Sequence, residues 1–99
     1  MLDVTVRDVL PFPIVGVGAS AADAEDLERF FSSTAVDSGA AYIVIQPQAP
    51  DQEAITAEFL SRHTSMPVSL MADGVELEPN HVYIMRPVRR ELDSLRRSR

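Results

Sequence analysis

A small α/β fold with a mostly parallel sheet is predicted by two features of the sequence. Residues 14–18 and 41–45 are β-branched, apolar runs, and the segment between them has helical spacing. Strand, helix and strand in this order favour a parallel βαβ unit. The chain has 99 residues, 45% hydrophobic and 24% charged, a balance typical of one packed domain. We therefore expect a single domain over residues 1–99 with a small three-layer, Rossmann-like sheet, a hairpin near residues 68–77 and a C-terminal helix.

The first strand and the first helix follow a leader over residues 1–12. The strand over residues 14–18 ends in glycine, and apolar side chains then recur on one helical face from residue 20 to about residue 31. These side chains are Ala24, Leu27, Phe30 and Phe31. Ser20 suits the N-cap of this helix, and Asp23 follows three residues later, as in a capping box. The pair predicts that the helix begins at Ser20.

A second helix and a hairpin are predicted after the second strand. Asp51 follows a proline and suits the N-cap of a helix that ends near His63. Residues 68–71 (Val-Ser-Leu-Met) and 75–77 (Val-Glu-Leu) are short runs on either side of the Asp-Gly pair at 73–74. Because Asp-Gly favours a tight turn, these runs predict a hairpin.

Charge divides the chain into an acidic body and a basic C-terminal segment. The net charge is −6, with 13 acidic residues and three arginines in residues 1–85, but six arginines and two acidic residues in residues 86–99. Val88, Leu92 and Leu95 recur at helical spacing in that segment. The acidic body predicts no binding to nucleic acid, and the basic helix either docks on an acidic surface or remains a solvated tail.

Composition excludes several further classes of protein. There is no cysteine, so disulfide scaffolds, thiolate zinc sites and thiol nucleophiles are excluded, and a reducing cytoplasm is the expected location. No apolar run approaches the roughly 18 residues that a membrane-spanning helix needs, and the N-terminus lacks the features of a signal peptide. We therefore expect no membrane insertion.

The turn over residues 16–21 has the pattern G-x-G-x-x-A between a strand and a helix, as dinucleotide-binding folds do. Two features oppose that function. In those folds an acidic residue near the end of the second strand binds the ribose, but this chain has Gln46 there. Asp23 also places negative charge at the start of the helix, where the phosphate would have to bind. We expect no cofactor and no metal, and the glycines then serve a sharp turn and close packing of helix on strand.

Ser20 is the candidate nucleophile, because a serine at a strand-to-helix turn lies near helix amides that stabilise an oxyanion. A serine nucleophile needs a base within hydrogen-bond reach, normally a histidine. The chain has His63, at the end of the second predicted helix, and His81, directly before a further predicted strand over residues 82–85. Neither is expected to meet Ser20, and the alternative for Ser20 is a helix cap without a catalytic role.

Four segments together resemble a known family. In order and spacing, residues 12–21, 42–46, 60–68 and 73–84 are similar to the catalytic domain of the chemotaxis receptor methylesterases of the CheB type, including the forms fused to a methyltransferase. The resemblance covers residues 12–87. It implies an α/β domain whose relatives hydrolyse glutamyl methyl esters on receptors with a serine, a histidine and an aspartate.

The resemblance places the family serine at Ser20, the catalytic position in this chain. The family histidine directly follows the strand-end glutamine, and after Gln46 this chain has Pro47. The glycine pair after the serine motif is here Ala22 and Asp23, and the family aspartate belongs to a second half that this sequence does not contain. We therefore expect a truncated, degenerate relative, similar to the N-terminal part of the methylesterase-methyltransferase fusions.

The resemblance and the missing groups favour a non-catalytic methylesterase-like module. We expect it to act in bacterial signalling, through chemotaxis-type protein interactions or self-association. The alternative is residual protein-glutamate methylesterase activity, or other serine ester hydrolysis, in which Ser20 uses a base from another subunit. The expected partners are a second copy of the chain, in a homodimer that includes the helix over residues 88–99, and a signalling protein or chemoreceptor.

Overall fold

The computed structural model describes residues 2–8, 11–46, 55–72 and 74–85, which form five strands and two α-helices. In chain order the elements are β1 (Asp3–Arg7), β2 (Ile14–Gly18), a short 3₁₀ turn (Ala21–Asp23), α1 (Ala24–Ser32), β3 (Ala41–Ile45), α2 (Ala57–Ser61), β4 (Val68–Leu70) and β5 (His81–Ile84). No helix within these ranges is long and apolar enough to cross a membrane.

The strands form one mixed sheet in the order β1-β2-β3-β5-β4. The pairs β2–β3, β3–β5 and β5–β4 are parallel, whereas β1 runs antiparallel to β2. The α/β class and the parallel βαβ unit are thus confirmed, and "mostly parallel" holds for all pairs except the one that β1 makes. Because β2, β3 and β5 run in the same direction, they all end at one side of the sheet, which we call the carboxyl edge.

Both helices pack on the same face of the sheet, and the core lies between the helices and the sheet. Leu27 and Phe31 from α1 and Leu60 from α2 are fully buried. The side chains that they meet alternate along the strands, as one face of a pleated sheet requires. They are Val17, Tyr42, Val44, Val82 and Ile84. The rings of Phe31 and Tyr42 meet edge to face at 6.0 Å. Within the described residues the fold therefore has two layers, and the predicted third layer is not among them.

The predicted hairpin near residues 68–77 is wrong. Its turn forms locally, since Gly74 has a φ of +79° and the amide of Val75 donates to the carbonyl of Ala72 at 3.2 Å. Residues 75–77, however, form no strand. β4 instead pairs with β5 in a parallel ladder. The ladder extends one residue beyond β4, because the Met71 amide donates to the carbonyl of Ile84.

Two element boundaries also differ from those that the sequence predicts. The expected leader contains β1, whose alternation of polar residues with Val4 and Val6 is a strand pattern. The second helix begins at Ala57, because the Thr56 hydroxyl accepts a hydrogen bond from the Phe59 amide at 3.1 Å and caps it there. The predicted cap Asp51 and the predicted helix over residues 88–99 lie outside the described residues.

Candidate functional site

Ser20 lies at the carboxyl edge of the sheet, where open α/β folds bind their ligands. It lies two residues after the end of β2 and borders a cleft of about 420 Å³. Residues from β1, β2, β3 and the turn after β2 line this cleft: Asp3, Gly18, Ala19, Ser20, Asp23, Ile45 and Gln46. The strand-to-helix position predicted for Ser20 is therefore confirmed.

Ser20 does not cap α1 as predicted. A 3₁₀ turn intervenes, and Asp23 is the N-cap residue of the α-helix. The Asp23 carboxylate accepts hydrogen bonds from the Ser20 amide at 2.9 Å and from the Ser20 hydroxyl at 3.2 Å. Only half of a capping box is thus present, because the hydroxyl donates to the acid and does not accept from a helix amide.

Asp23 gives the site a negative charge directly beside the candidate nucleophile. The pKa of its carboxyl lies below the ordinary value of 3.8, because hydrogen bonds to the carboxylate, among them the one from the Ser20 amide, favour the ionised form. A carboxylate with a lowered pKa is a weak base for a serine hydroxyl. Its charge also opposes an oxyanion at Ser20.

Gln46 also lines the cleft, and the sequence does not single it out as a site residue. It is 4% exposed at the end of β3. Its side-chain oxygen accepts from the Ile55 amide at 2.7 Å, and its side-chain nitrogen donates to the carbonyls of Ile55 at 3.3 Å and Met85 at 3.2 Å. Both amide hydrogens are used internally, so Gln46 ties three segments together and has no donor left for a ligand. The sequence feature that points to this role is the amide side chain of Gln46 at the end of an apolar strand.

The two histidines lie away from Ser20. In the strand register His81 is level with Ala41 and Ile14, four residues before Gly18, which is about 13 Å along the sheet at 3.3 Å per residue. His81 stacks on a neighbouring ring, and its Nδ1 lies 3.2 Å from the Pro79 carbonyl.

His63 borders a different cleft, at the end of α1. Its ring meets Phe59 at 5.0 Å, and its Nε2 lies 4.0 Å from a carboxylate oxygen of Glu28. The prediction that neither histidine meets Ser20 is therefore confirmed. Pro47, which the resemblance aligns with the family histidine, lies outside the described residues, but a proline side chain has no group that can accept a proton.

Gly16 and Gly18 belong to β2 and do not form the sharp turn that was expected of them. A Cβ atom on Gly18 would stand 3.3 Å from the Cβ of Asp3, whereas one on Gly16 would have ordinary contacts at 3.8 Å. Gly18 thus lets β1 approach β2 closely.

The site offers little to a phosphate or a metal ion. The Ser20 amide, which a phosphate would need as a hydrogen-bond donor, already donates to the Asp23 carboxylate. In the described part of the chain, no three histidine or acidic residues come close enough to hold a metal.

A family model places the chain among known proteins. The model described as CheB methylesterase matches residues 15–93, which include all of β2 except Ile14, the Ser20 turn and β3. No curated protein and no solved structure gave a significant match. Because the matched range covers most of the 99 residues, the chain belongs to the CheB methylesterase family.

Proposed function

We propose that this protein is a methylesterase-like module of chemotaxis-type signalling that acts through protein contacts and not by hydrolysing esters itself. Membership of the CheB methylesterase family supports the signalling context. The observation that carries the non-catalytic part is the hydrogen bond from the Ser20 hydroxyl to the Asp23 carboxylate, with no histidine at Ser20 in the described residues.

The chemistry of ester hydrolysis explains why this arrangement is unfavourable. A serine hydroxyl attacks an ester only when a base takes its proton, and that base must be able to hold the proton afterwards. Asp23 holds a proton poorly, because the pKa of its carboxyl is lowered. Asp3, a second acid, lines the same cleft, so negative charge surrounds the position where an oxyanion would form.

The second candidate function is residual ester hydrolysis with a base from another subunit. The position of the cleft favours it, because Asp3 belongs to β1, the last strand at that side of the described sheet. A protein docked against β1 would stand next to Ser20. This function needs a partner that supplies a base, whereas the proposed function needs a partner but no base.

Labelling with a fluorophosphonate probe tests the proposal. We expect no labelling of the wild-type chain and no release of methanol from a chemoreceptor cytoplasmic domain that carries glutamyl methyl esters. Ser20→Ala is the test variant and Ser69→Ala, at an exposed serine of β4, is the matched control. Labelling that Ser20→Ala abolishes and Ser69→Ala preserves would overturn the proposal in favour of the hydrolase.

A further inference from the structure

The outer edge of β1 is an unusually open surface. β1 is the last strand of the described sheet, and all five of its side chains are exposed. Val4 is 44% exposed and Val6 is 58% exposed. Edge strands are normally protected by proline, lysine, a bulge or a covering segment, because their free amides and carbonyls pair with other strands. β1 contains neither proline nor lysine, and its pairing with β2 runs without a bulge.

The sequence of β1 is complementary to itself when it is reversed. It reads Asp-Val-Thr-Val-Arg from Asp3 to Arg7, with Thr5 at the centre. Two such strands, antiparallel and centred on Thr5, place Asp3 opposite the partner's Arg7 and Val4 opposite the partner's Val6. Neither Asp3 nor Arg7 forms an ion pair within the described residues, so both charges are available.

We propose that two copies of this chain pair through β1, antiparallel and about a two-fold axis at Thr5, joining their sheets into one. A shift by two residues leaves fewer facing pairs and separates Asp3 from the partner's Arg7. A shift by one residue sets outward-pointing hydrogen-bond groups against groups that point to β2. The centred register is therefore the one that satisfies both the backbone and the charges.

This pairing brings a residue of the partner to the Ser20 cleft. Asp3 lines that cleft together with Asp23, and the centred register sets the partner's Arg7 beside Asp3. The cleft thereby gains a positive charge next to its two acids. The inference rests on the proposed function, which acts through protein contacts, and names a second copy of the chain as one such contact. Its test measures mass and crosslinking, whereas that of the proposed function measures hydrolysis, so either can fail alone.

Cysteine crosslinking tests the register directly, because the chain has no cysteine of its own. Facing residues of an antiparallel pair have Cα atoms about 4.5–5.5 Å apart, within the range for a disulfide. We expect Thr5→Cys in the full chain to form a disulfide-linked dimer under mild oxidation. Asp37→Cys, at an exposed loop position, is the control and should remain monomeric on a non-reducing gel. Failure of Thr5→Cys to crosslink more than the control would overturn the proposal.

Charge exchange tests the same register in solution without a new covalent bond. Asp3→Arg makes both facing pairs arginine, and Arg7→Asp makes both acidic, so each variant alone should dimerise at least about tenfold more weakly by analytical ultracentrifugation. The double variant, and an equimolar mixture of the two single variants, restore opposite charges and should recover the dimer. Asp37→Arg, which changes net charge equally to Asp3→Arg, should have no effect. A monomeric wild type, unaffected single variants or no recovery in the mixture would each overturn the proposal.

Discussion

Gln46→Ala should be among the most damaging single substitutions in this chain. The side chain makes three hydrogen bonds, to the amide and carbonyl of Ile55 and to the carbonyl of Met85. Alanine leaves these backbone groups without that partner, and a buried group without a partner costs about 1–3 kcal/mol. We expect the free energy of unfolding to fall by roughly 3 kcal/mol, against a typical total of about 5–15 kcal/mol for a domain.

The assay is urea unfolding followed by circular dichroism, with the thermal midpoint as a second measurement. A loss of roughly 3 kcal/mol should lower the midpoint by more than about 10 °C in a chain of this size. Gln46→Glu is the matched variant, because it keeps the shape and the oxygen that Ile55 needs but loses the amide nitrogen.

The glutamate variant adds a dependence on pH that alanine cannot show. At neutral pH its buried carboxylate would face the carbonyls of Ile55 and Met85, and burial of this kind raises a carboxyl pKa. A group with a raised folded pKa binds its proton more tightly when folded, so the variant should regain stability as the pH falls. A loss below about 1 kcal/mol for Gln46→Ala would refute the view that this amide holds the three segments together.

Three further predictions concern the turn, the glycines and the second helix. The pKa of Asp23 is lowered from 3.8, so the stability that its carboxylate contributes should be present above pH 3.8 and lost as the pH falls through the folded pKa. The difference in thermal midpoint between wild type and Asp23→Asn should therefore shrink as the pH falls. A difference that stays constant with pH would contradict this prediction. Gly18→Ala should cost about 1 kcal/mol by forcing β1 away from β2, whereas Gly16→Ala, whose new Cβ meets nothing closer than 3.8 Å, should be neutral or stabilising in urea unfolding. Thr56→Ala removes the cap of α2 and should cost about 1 kcal/mol, more than Ser20→Ala, whose hydroxyl accepts no hydrogen bond from a helix amide.

The βαβ unit could be predicted from the sequence because local pattern and tertiary packing agree there. Leu27 and Phe31 recur at helical spacing, and the structure buries both against the sheet. The region after β4 shows the opposite case. Gly74 makes the turn that its residue type favours. The strand that pairs with β4 is nevertheless β5, and the Asp-Gly motif contains no information about β5. Strand partners depend on contacts distant in the chain, and a hairpin motif describes only neighbours.

The candidate site was predictable in its position but not in its bonding. A serine between a strand and a helix must lie at the carboxyl edge, and Ser20 does. The direction of its hydrogen bond was not predictable, because the same Ser-x-x-Asp spacing allows the acid to accept from the serine or the serine to cap the helix. Gln46 was missed for a related reason, since an amide after an apolar strand equally marks the end of that strand or a buried tie between segments.

The distribution of charge around Ser20 connects the fold to the proposed function. Among the residues that line the cleft, Asp3 and Asp23 carry charge, and none is basic. Like charges repel each other more strongly where water is excluded than they do in bulk water. Negative charge is thus disfavoured in the cleft, and more strongly once a docked protein excludes water. The same acids attract a positive group, and β1 presents Arg7 to a second copy in the register that sets it beside Asp3. A cleft of this kind is better suited to protein association than to an oxyanion.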